Sequence, residues 1–213
     1  DSKVVDEKGK PMVVYHGTDK DFTEFSLDPK DTDRRDIEPF GFHFGAPETA
    51  NARIGDMATS VWGTGEVTQD FDNMQIYPVY VRIKNPIRLP DVSRWDDPYM
   101  VGMALEKHYP EEFKGLEEKL LDEELKDEYF TLDDRQRSLV LGQIKSKGYD
   151  GVVYSNQYEG VETEDRPKFG RAEQDLSITG NDSYIAFEPT QIKSIYNKGT
   201  FDPTDARIRF QDN

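Results

Sequence analysis

Hydrophobic residues along this chain come in short runs bounded by Gly, Pro, Asn and Asp, separated by charged stretches. Residues 12–15 and 42–44 are the first strand-like runs, the second held between Gly41 and Gly45. Between them, residues 28–38 are charged and poor in apolar side chains, which predicts a mobile surface loop. A helix is predicted from 47 to about 59, because Pro47 suits a first turn, Glu48 complements the N-terminal dipole and alanines follow. Gly63 and Gly65 break it. Residues 76–83, Ile-Tyr-Pro-Val-Tyr-Val-Arg-Ile, are β-branched and aromatic with partial alternation, and Asn85-Pro86 closes that strand.

From 98 to 147 the period changes. Leu116, Leu120, Leu121 and Leu125 recur at helical spacing, Leu132, Leu139 and Ile144 do so less regularly, and acidic residues fill the other faces. This predicts an acidic helical insertion whose charged faces form a solvated lobe, with His108 on its surface. Gly148 ends the last helix, and 149–154 become a buried strand. Residues 155–181 read as a long polar loop, of the kind that is usually functional or disordered. Next come a strand at 183–187, a single turn at 189–192, a terminal strand at 195–196 and a Pro-, Asp- and Gly-rich tail. There is no internal repeat and no low-complexity tract.

At 213 residues the chain suits one well-cored domain, read as 1–200 with the insertion at 98–147 and a tail at 201–213. Cysteine is absent, which excludes disulfides, thiolate metal sites and Cys nucleophiles and fits a reducing compartment. No metal is expected. The sequence contains no run of about 18 apolar residues and no signal peptide, so the expectation is a soluble, cytoplasmic domain with no membrane partner. Its first residue is Asp1, which suggests an excised piece of a longer polypeptide. A formal charge of −16 disfavours a large nucleic-acid footprint. It serves solubility, or offers a face to a basic partner, whether a target or a neutralising antitoxin-like protein.

Three segments carry the candidate chemistry: Tyr15-His16-Gly17-Thr18, Gly41-Phe42-His43-Phe44-Gly45 and Asp182-Ser183-Tyr184-Ile185-Ala186-Phe187. A His at a strand end can hydrogen-bond ribose hydroxyls, and a Gly beside it lets the backbone approach a flat carboxamide. Such parts suit cleavage of the nicotinamide–ribose bond. The leaving group there is already cationic, so the enzyme mainly positions NAD and stabilises developing positive charge. Taken singly, the same residues have plainer readings. His16 alone would be a strand-end His satisfied by backbone; Phe22, Phe25, Phe40, Phe42 and Phe44 would be core aromatics, with Phe22 and Phe25 buttressing the first motif; Tyr184 and Phe187 would be core.

The ordered set, together with Tyr149-Asp150-Gly151-Val152-Val153-Tyr154-Ser155-Asn156 and Ser183-Tyr184-Ile185-Ala186-Phe187-Glu188-Pro189-Thr190-Gln191-Ile192-Lys193-Ser194, resembles the ADP-ribosyltransferase-like domains of phage polyvalent proteins and bacterial polymorphic toxins. These belong to the His-Tyr-Glu branch that includes diphtheria toxin and the poly(ADP-ribose) polymerases. The resemblance implies an α+β ADP-ribosyltransferase fold, with two small, mostly antiparallel sheets forming a split NAD-binding cleft and the helical insertion appended. It makes His16 the ribose-binding His, Gly17 the backbone contact to nicotinamide and Thr18 a support of the turn. His43 stands where relatives often have a Tyr that stacks on nicotinamide, and Asn51 where relatives hold the carboxamide. Tyr15, Phe44 and Tyr184 complete the cofactor-binding set.

In the third motif relatives carry Glu, and this chain has Ser183, whose hydroxyl brings no charge. Chain extension is therefore not expected, and single transfer needs a nearby carboxylate. Glu159 is preferred over Glu162 and Glu164, because the segment 156–160 follows directly from a central strand; Glu188 points to the opposite face of a regular strand. The implied function is NAD-dependent mono-ADP-ribosyl transfer to a macromolecule, a protein rather than a nucleic acid, by a phage or bacterial toxin or effector. Two alternatives stand beside it. One is a degenerate module that binds NAD, ADP-ribose or a protein without turnover. The other is an NAD-consuming enzyme acting on RNA, suggested by the His16/His43 pair, for which Arg34, Arg35 and Arg53 would have to grip phosphate.

Overall fold

The computed structural model of the chain describes residues 1–26, 40–61, 67–121, 134–159, 176, 181–197, 202 and 204–208. In chain order its first elements are β1 (Val13–Thr18), β2 (Phe42–Phe44), α1 (Pro47–Ala58), β3 (Thr59–Val61), β4 (Val67–Gln69), β5 (Gln75–Val81) and β6 (Pro86–Leu89). There follow α2 (Pro98–His108), α3 (Leu116–Leu120), α4 (Asp134–Ser146), β7 (Gly151–Ser155), β8 (Asp182–Ala186), a 3-10 turn at Pro189–Gln191 and β9 (Ile192–Ser194). Strands β1, β5 and β9 form one antiparallel sheet in that order. A second sheet has the order β2-β8-β7-β6, antiparallel except for the β6–β7 pair, and β3 and β4 form a separate antiparallel pair. This is the expected α+β architecture with two small sheets.

One backbone seam joins the two sheets. The Tyr15 N–H donates to the Gly45 carbonyl at 2.9 Å, and the Gly45 N–H donates back to Tyr15 at 3.1 Å. Pairing goes no further along β1, so a cleft opens between the strand ends. Register decides what faces it. Tyr15 lies opposite Pro78 of β5, whose carbonyl accepts from Ile195 on the other side, so this pair exchanges no hydrogen bond. The Pro78 nitrogen therefore faces away from β1, toward Ile195 just past the end of β9, so the missing donor interrupts no pairing within the named strands. By the two-residue period, Gly17 directs its own N–H and C=O toward the same side as Tyr15, past the seam and into the cleft.

Strand alternation divides the core in two. Val14 of β1, Phe42 and Phe44 of β2, Val79 and Val81 of β5, Val153 of β7, and Tyr184 and Ala186 of β8 pack between the sheets. On the other face of the second sheet, Ile87, Leu89, Val152 and Ile185 pack against Val101, Leu105, Phe113, Leu116, Leu120, Val140 and Ile144 of the helical region. Each such side chain contributes about 1.5–3 kcal/mol when fully buried. The described helices α2, α3 and α4 therefore belong to the crossover that a parallel β6–β7 pair requires, and their apolar faces supply much of the core cluster on this side of the second sheet. His108 is half-buried at the end of α2 rather than exposed.

Several element boundaries differ from the sequence reading. Strand β1 runs on to Thr18, so the first motif is itself strand. Pro86 opens a short edge strand where a strand end was expected, a position Pro tolerates. The last strand is Ile192–Ser194, and Tyr196 is exposed. The expected tail is not free: Ile208 is buried between the sheets, its N–H donating to Thr23 and its carbonyl accepting from Ser194. The buried Lys193 ammonium donates to the carbonyls of Asp205 and Arg207, tying the same segment to β9. Helix α1 ends at Ala58, as the pattern indicated, while Gly63, Gly65, Leu125, Leu132 and the predicted 28–38 loop lie outside the described residues.

Candidate active site

His16 sits where the sheets meet. Its Nδ1 lies 2.8 Å from the His43 carbonyl. A carbonyl only accepts, so Nδ1 carries the proton, and Nε2 of the neutral ring is an acceptor. The ring is held by Phe22, Phe25 and Phe44, at centroid distances of 6.4, 5.1 and 5.6 Å. Phe22 in turn stacks on Tyr77, which faces His16 across the β1–β5 ladder and whose hydroxyl donates to Asp21 at 2.9 Å. The His43 carbonyl thus fixes the tautomer of His16, and the aromatics near the first motif hold its ring in one orientation.

Gly17 has a second reason to be glycine besides approach to a ligand. A Cβ there would stand 2.6 Å from the Ala50 carbonyl of α1, so its absence allows helix and strand to touch. That contact sets the helix phase. Thr49, Ala50, Arg53 and Met57 line the cleft, while Asn51 is exposed on another face. Asn51, placed by the resemblance at the carboxamide, therefore does not line the cleft. The buried Thr49 Oγ1 lines the cleft and has no hydrogen-bond partner among the described residues, as in a wall shaped for a polar ligand.

On the second sheet, alternation sends Phe42 and Phe44 into the inter-sheet core and His43 the other way. The His43 ring packs edge-on against Trp95 at 5.9 Å and Tyr154 at 6.3 Å, with Nδ1 3.4 Å from the Tyr154 hydroxyl. Tyr184 does not line the cleft. It neighbours Ser183 on β8, so the two point to opposite faces; Tyr184 is buried between the sheets, where burial raises its hydroxyl to about 12. Ser183 lines the cleft.

Glu159 lines it too. The Asn156 amide donates to Ser183 Oγ at 3.1 Å and to Glu159 Oε2 at 3.2 Å, so one buried side chain ties the motif's hydroxyl to a carboxylate. Glu162 and Glu164 lie outside the described residues. Glu188 faces away, pairing with Lys145 at 2.5 Å and capping the 3-10 turn. The cleft thus gathers Tyr15, His16, Gly17, Thr18, His43, Phe44, Glu159 and Ser183 and leaves out Asn51 and Tyr184. Sequence reasoning missed Thr49, Met57, Tyr154 and Asn156 as parts of this site and weighed Arg53 only for phosphate. Tyr154 was signalled by two-residue alternation from Val152.

A second, more polar pocket of about 330 Å³ adjoins the first and shares His43, Arg53, Tyr154 and Glu159 with it. Asp91 lines it, buried, accepting from the backbone N–H of Ser93 at 3.0 Å and of Gln157 at 2.9 Å. Burial pushes the Asp91 carboxyl above its usual range, and these two donors and Trp95 oppose the shift. A folded pKa above the unfolded one means that the ionised form costs stability at neutral pH, and that this cost disappears as pH falls through the folded value. Asp91→Asn abolishes the titration and weakens the acceptor, so the variant is expected to be less stable than wild type by about 1–3 kcal/mol. Urea unfolding across pH should show the deficit smallest at neutral pH and growing as pH falls.

Among the described residues no helix is long and apolar enough to cross a membrane, and no group of three or more His, Cys, Asp or Glu is placed to hold a metal ion. No curated protein and no solved structure matches the chain. The family described as ADP-ribosyltransferase in polyvalent proteins matches residues 6–201, which includes all three motifs, both sheets and the helical crossover. ADP-ribosyltransferases use NAD as substrate and a macromolecule as acceptor. With that match spanning nearly its whole length, the chain belongs to the ADP-ribosyltransferase family of polyvalent proteins.

Proposed function

We propose that this domain transfers a single ADP-ribose from NAD to a protein acceptor and releases nicotinamide. The observation that carries the reading is the Glu159 carboxylate in the same cleft as His16, Gly17 and Ser183. The bond between the anomeric carbon and the pyridinium nitrogen breaks, and its electron pair leaves with nicotinamide. The acceptor nucleophile forms the new bond at that carbon and gives up its proton to water. Positive charge builds on the ribose meanwhile, and a fixed carboxylate in a partly dehydrated cleft lowers the barrier most. Glu159 supplies the charge that Ser183 lacks. His16 Nε2 accepts from a ribose hydroxyl, and the Gly17 N–H and C=O pair with the carboxamide.

The strong negative charge favours a protein over a nucleic acid as acceptor. An effector acting in the cytoplasm of a target or host cell, with an antitoxin-like protein as a neutralising partner, belongs to the same proposal. Incubation with labelled NAD and a cell lysate tests it: the expected result is label on protein, abolished in His16→Ala. Loss of the ribose contact should weaken NAD binding by about tenfold or more, read by calorimetry. Tight NAD binding by the wild type with no nicotinamide release would make the domain a binding module instead, and label on RNA would select the nucleic-acid reading.

A further inference from the structure

We propose that Asn156 is a positioning residue that fixes the Glu159 carboxylate and the Ser183 hydroxyl relative to each other; the inference rests on the transferase reading only for the purpose of the clamp. Asn156 is 3% exposed, and all its polar atoms are engaged. Its Oδ1 accepts from the Tyr158 N–H at 3.1 Å and the Glu159 N–H at 2.9 Å, which fold the chain back just after β7. Two backbone donors must meet the oxygen, so the amide orientation is fixed, and Nδ2 necessarily faces Ser183 Oγ and Glu159 Oε2. The Asn156 N–H donates to the Asn181 carbonyl at 2.7 Å, and the Asn181 side chain donates back to the Asn156 carbonyl at 3.0 Å.

One residue therefore does two things at once. It builds the turn that carries Glu159, and it donates to the carboxylate that this turn delivers. A donor to the ionised form favours that form. Because Ser183 Oγ accepts from Asn156, its own proton is directed elsewhere. Asp91 holds the same turn from its other side through the Gln157 N–H. A carboxylate on a surface loop would be placed loosely; this one is held at both its backbone and its side chain.

Asn156→Asp separates the two roles. The new side chain keeps an oxygen for the Tyr158 and Glu159 N–H groups and so preserves the turn. It removes the donor and sets a second carboxylate against Glu159. Among the described residues, the other charged and titratable groups that line the two pockets with Glu159, namely Tyr15, His16, Asp19, His43, Arg53, Asp91, Asp96, Tyr154 and Tyr158, are unchanged. Glu159 should be titrated by carbon NMR of the side-chain carboxyl, assigned with Glu159→Gln, in wild type, Asn156→Asp and Asn156→Ala. We expect the midpoint to rise by about one pH unit or more in Asn156→Asp and by less in Asn156→Ala. The acid limb of the nicotinamide-release profile should move with it, while KM for NAD changes less than kcat. An unshifted Glu159 midpoint in both variants overturns the proposal, whether or not NAD is turned over. A wild type that releases no nicotinamide overturns the transferase reading, and the titration still decides the clamp.

Discussion

Glu159→Gln is expected to slow nicotinamide release from NAD by about 10²–10³-fold while changing NAD affinity little. The substitution is nearly isosteric, and Gln can present its carbonyl oxygen to Asn156 Nδ2 as the carboxylate does. The turn from Asn156 to Glu159 is held by backbone donors that the change does not touch. What disappears is one negative charge beside the ribose, which matters most when positive charge develops at the anomeric carbon and little in the bound ground state. The signature is a fall in kcat with KM nearly constant, and an unchanged thermal melt. Ser183→Ala should cost less, because the hydroxyl brings no charge. Equal losses from the two variants would mean that Ser183 carries a larger share of the stabilisation than its chemistry allows.

Gly41→Ala is expected to have the largest effect on folding. Gly41 has φ of +135°, in the region that disfavours L side chains, and a Cβ there would lie 2.1 Å from the Ala186 carbonyl and 3.1 Å from Ile185 Cγ2. Both obstacles belong to β8, the strand that β2 must pair with and that carries Ser183. Backbone strain and overpacking together amount to about 3–5 kcal/mol, or roughly 6–20 °C in melting temperature for a domain of this size. Differential scanning calorimetry reads it directly. The variant should lose NAD binding in proportion to unfolding, since the His43 carbonyl that orients His16 lies two residues along.

The sequence showed the ingredients of the cleft more readily than their directions. His16, His43 and Ser183 were nominated from motif positions and Glu159 from its place just after a central strand, and all four line one cavity. Asn51 falls outside the cleft because helix phase is a tertiary fact: α1 turns Ala50, Arg53 and Met57 inward, the latter two three and seven residues after the first, with the Ala50 carbonyl against Gly17. Nothing in the run of α1 alone announces that contact. Tyr184 stays outside the cleft because it is buried between the sheets, on the face of β8 opposite Ser183. The helices were misjudged for another reason. Their many charges occupy outer faces, while Val101, Leu105, Leu116, Leu120, Val140 and Ile144 cover a sheet whose parallel pair could not be foreseen before Pro86 was recognised as a strand start. Asn156 needed structure entirely, because its partners lie three residues and twenty-seven residues away.

The central claim is that this cleft breaks the nicotinamide–ribose bond with Glu159 as the stabilising charge. The most direct measurement is a time course with NAD labelled on both halves, run with the wild type and Glu159→Gln in the presence of acceptor protein. The account predicts that nicotinamide release and ADP-ribose on protein rise together in the wild type, with both slowed by about 10²–10³-fold in the variant. Bound NAD that stays intact with the wild type, or release at the same rate in both proteins, would contradict it.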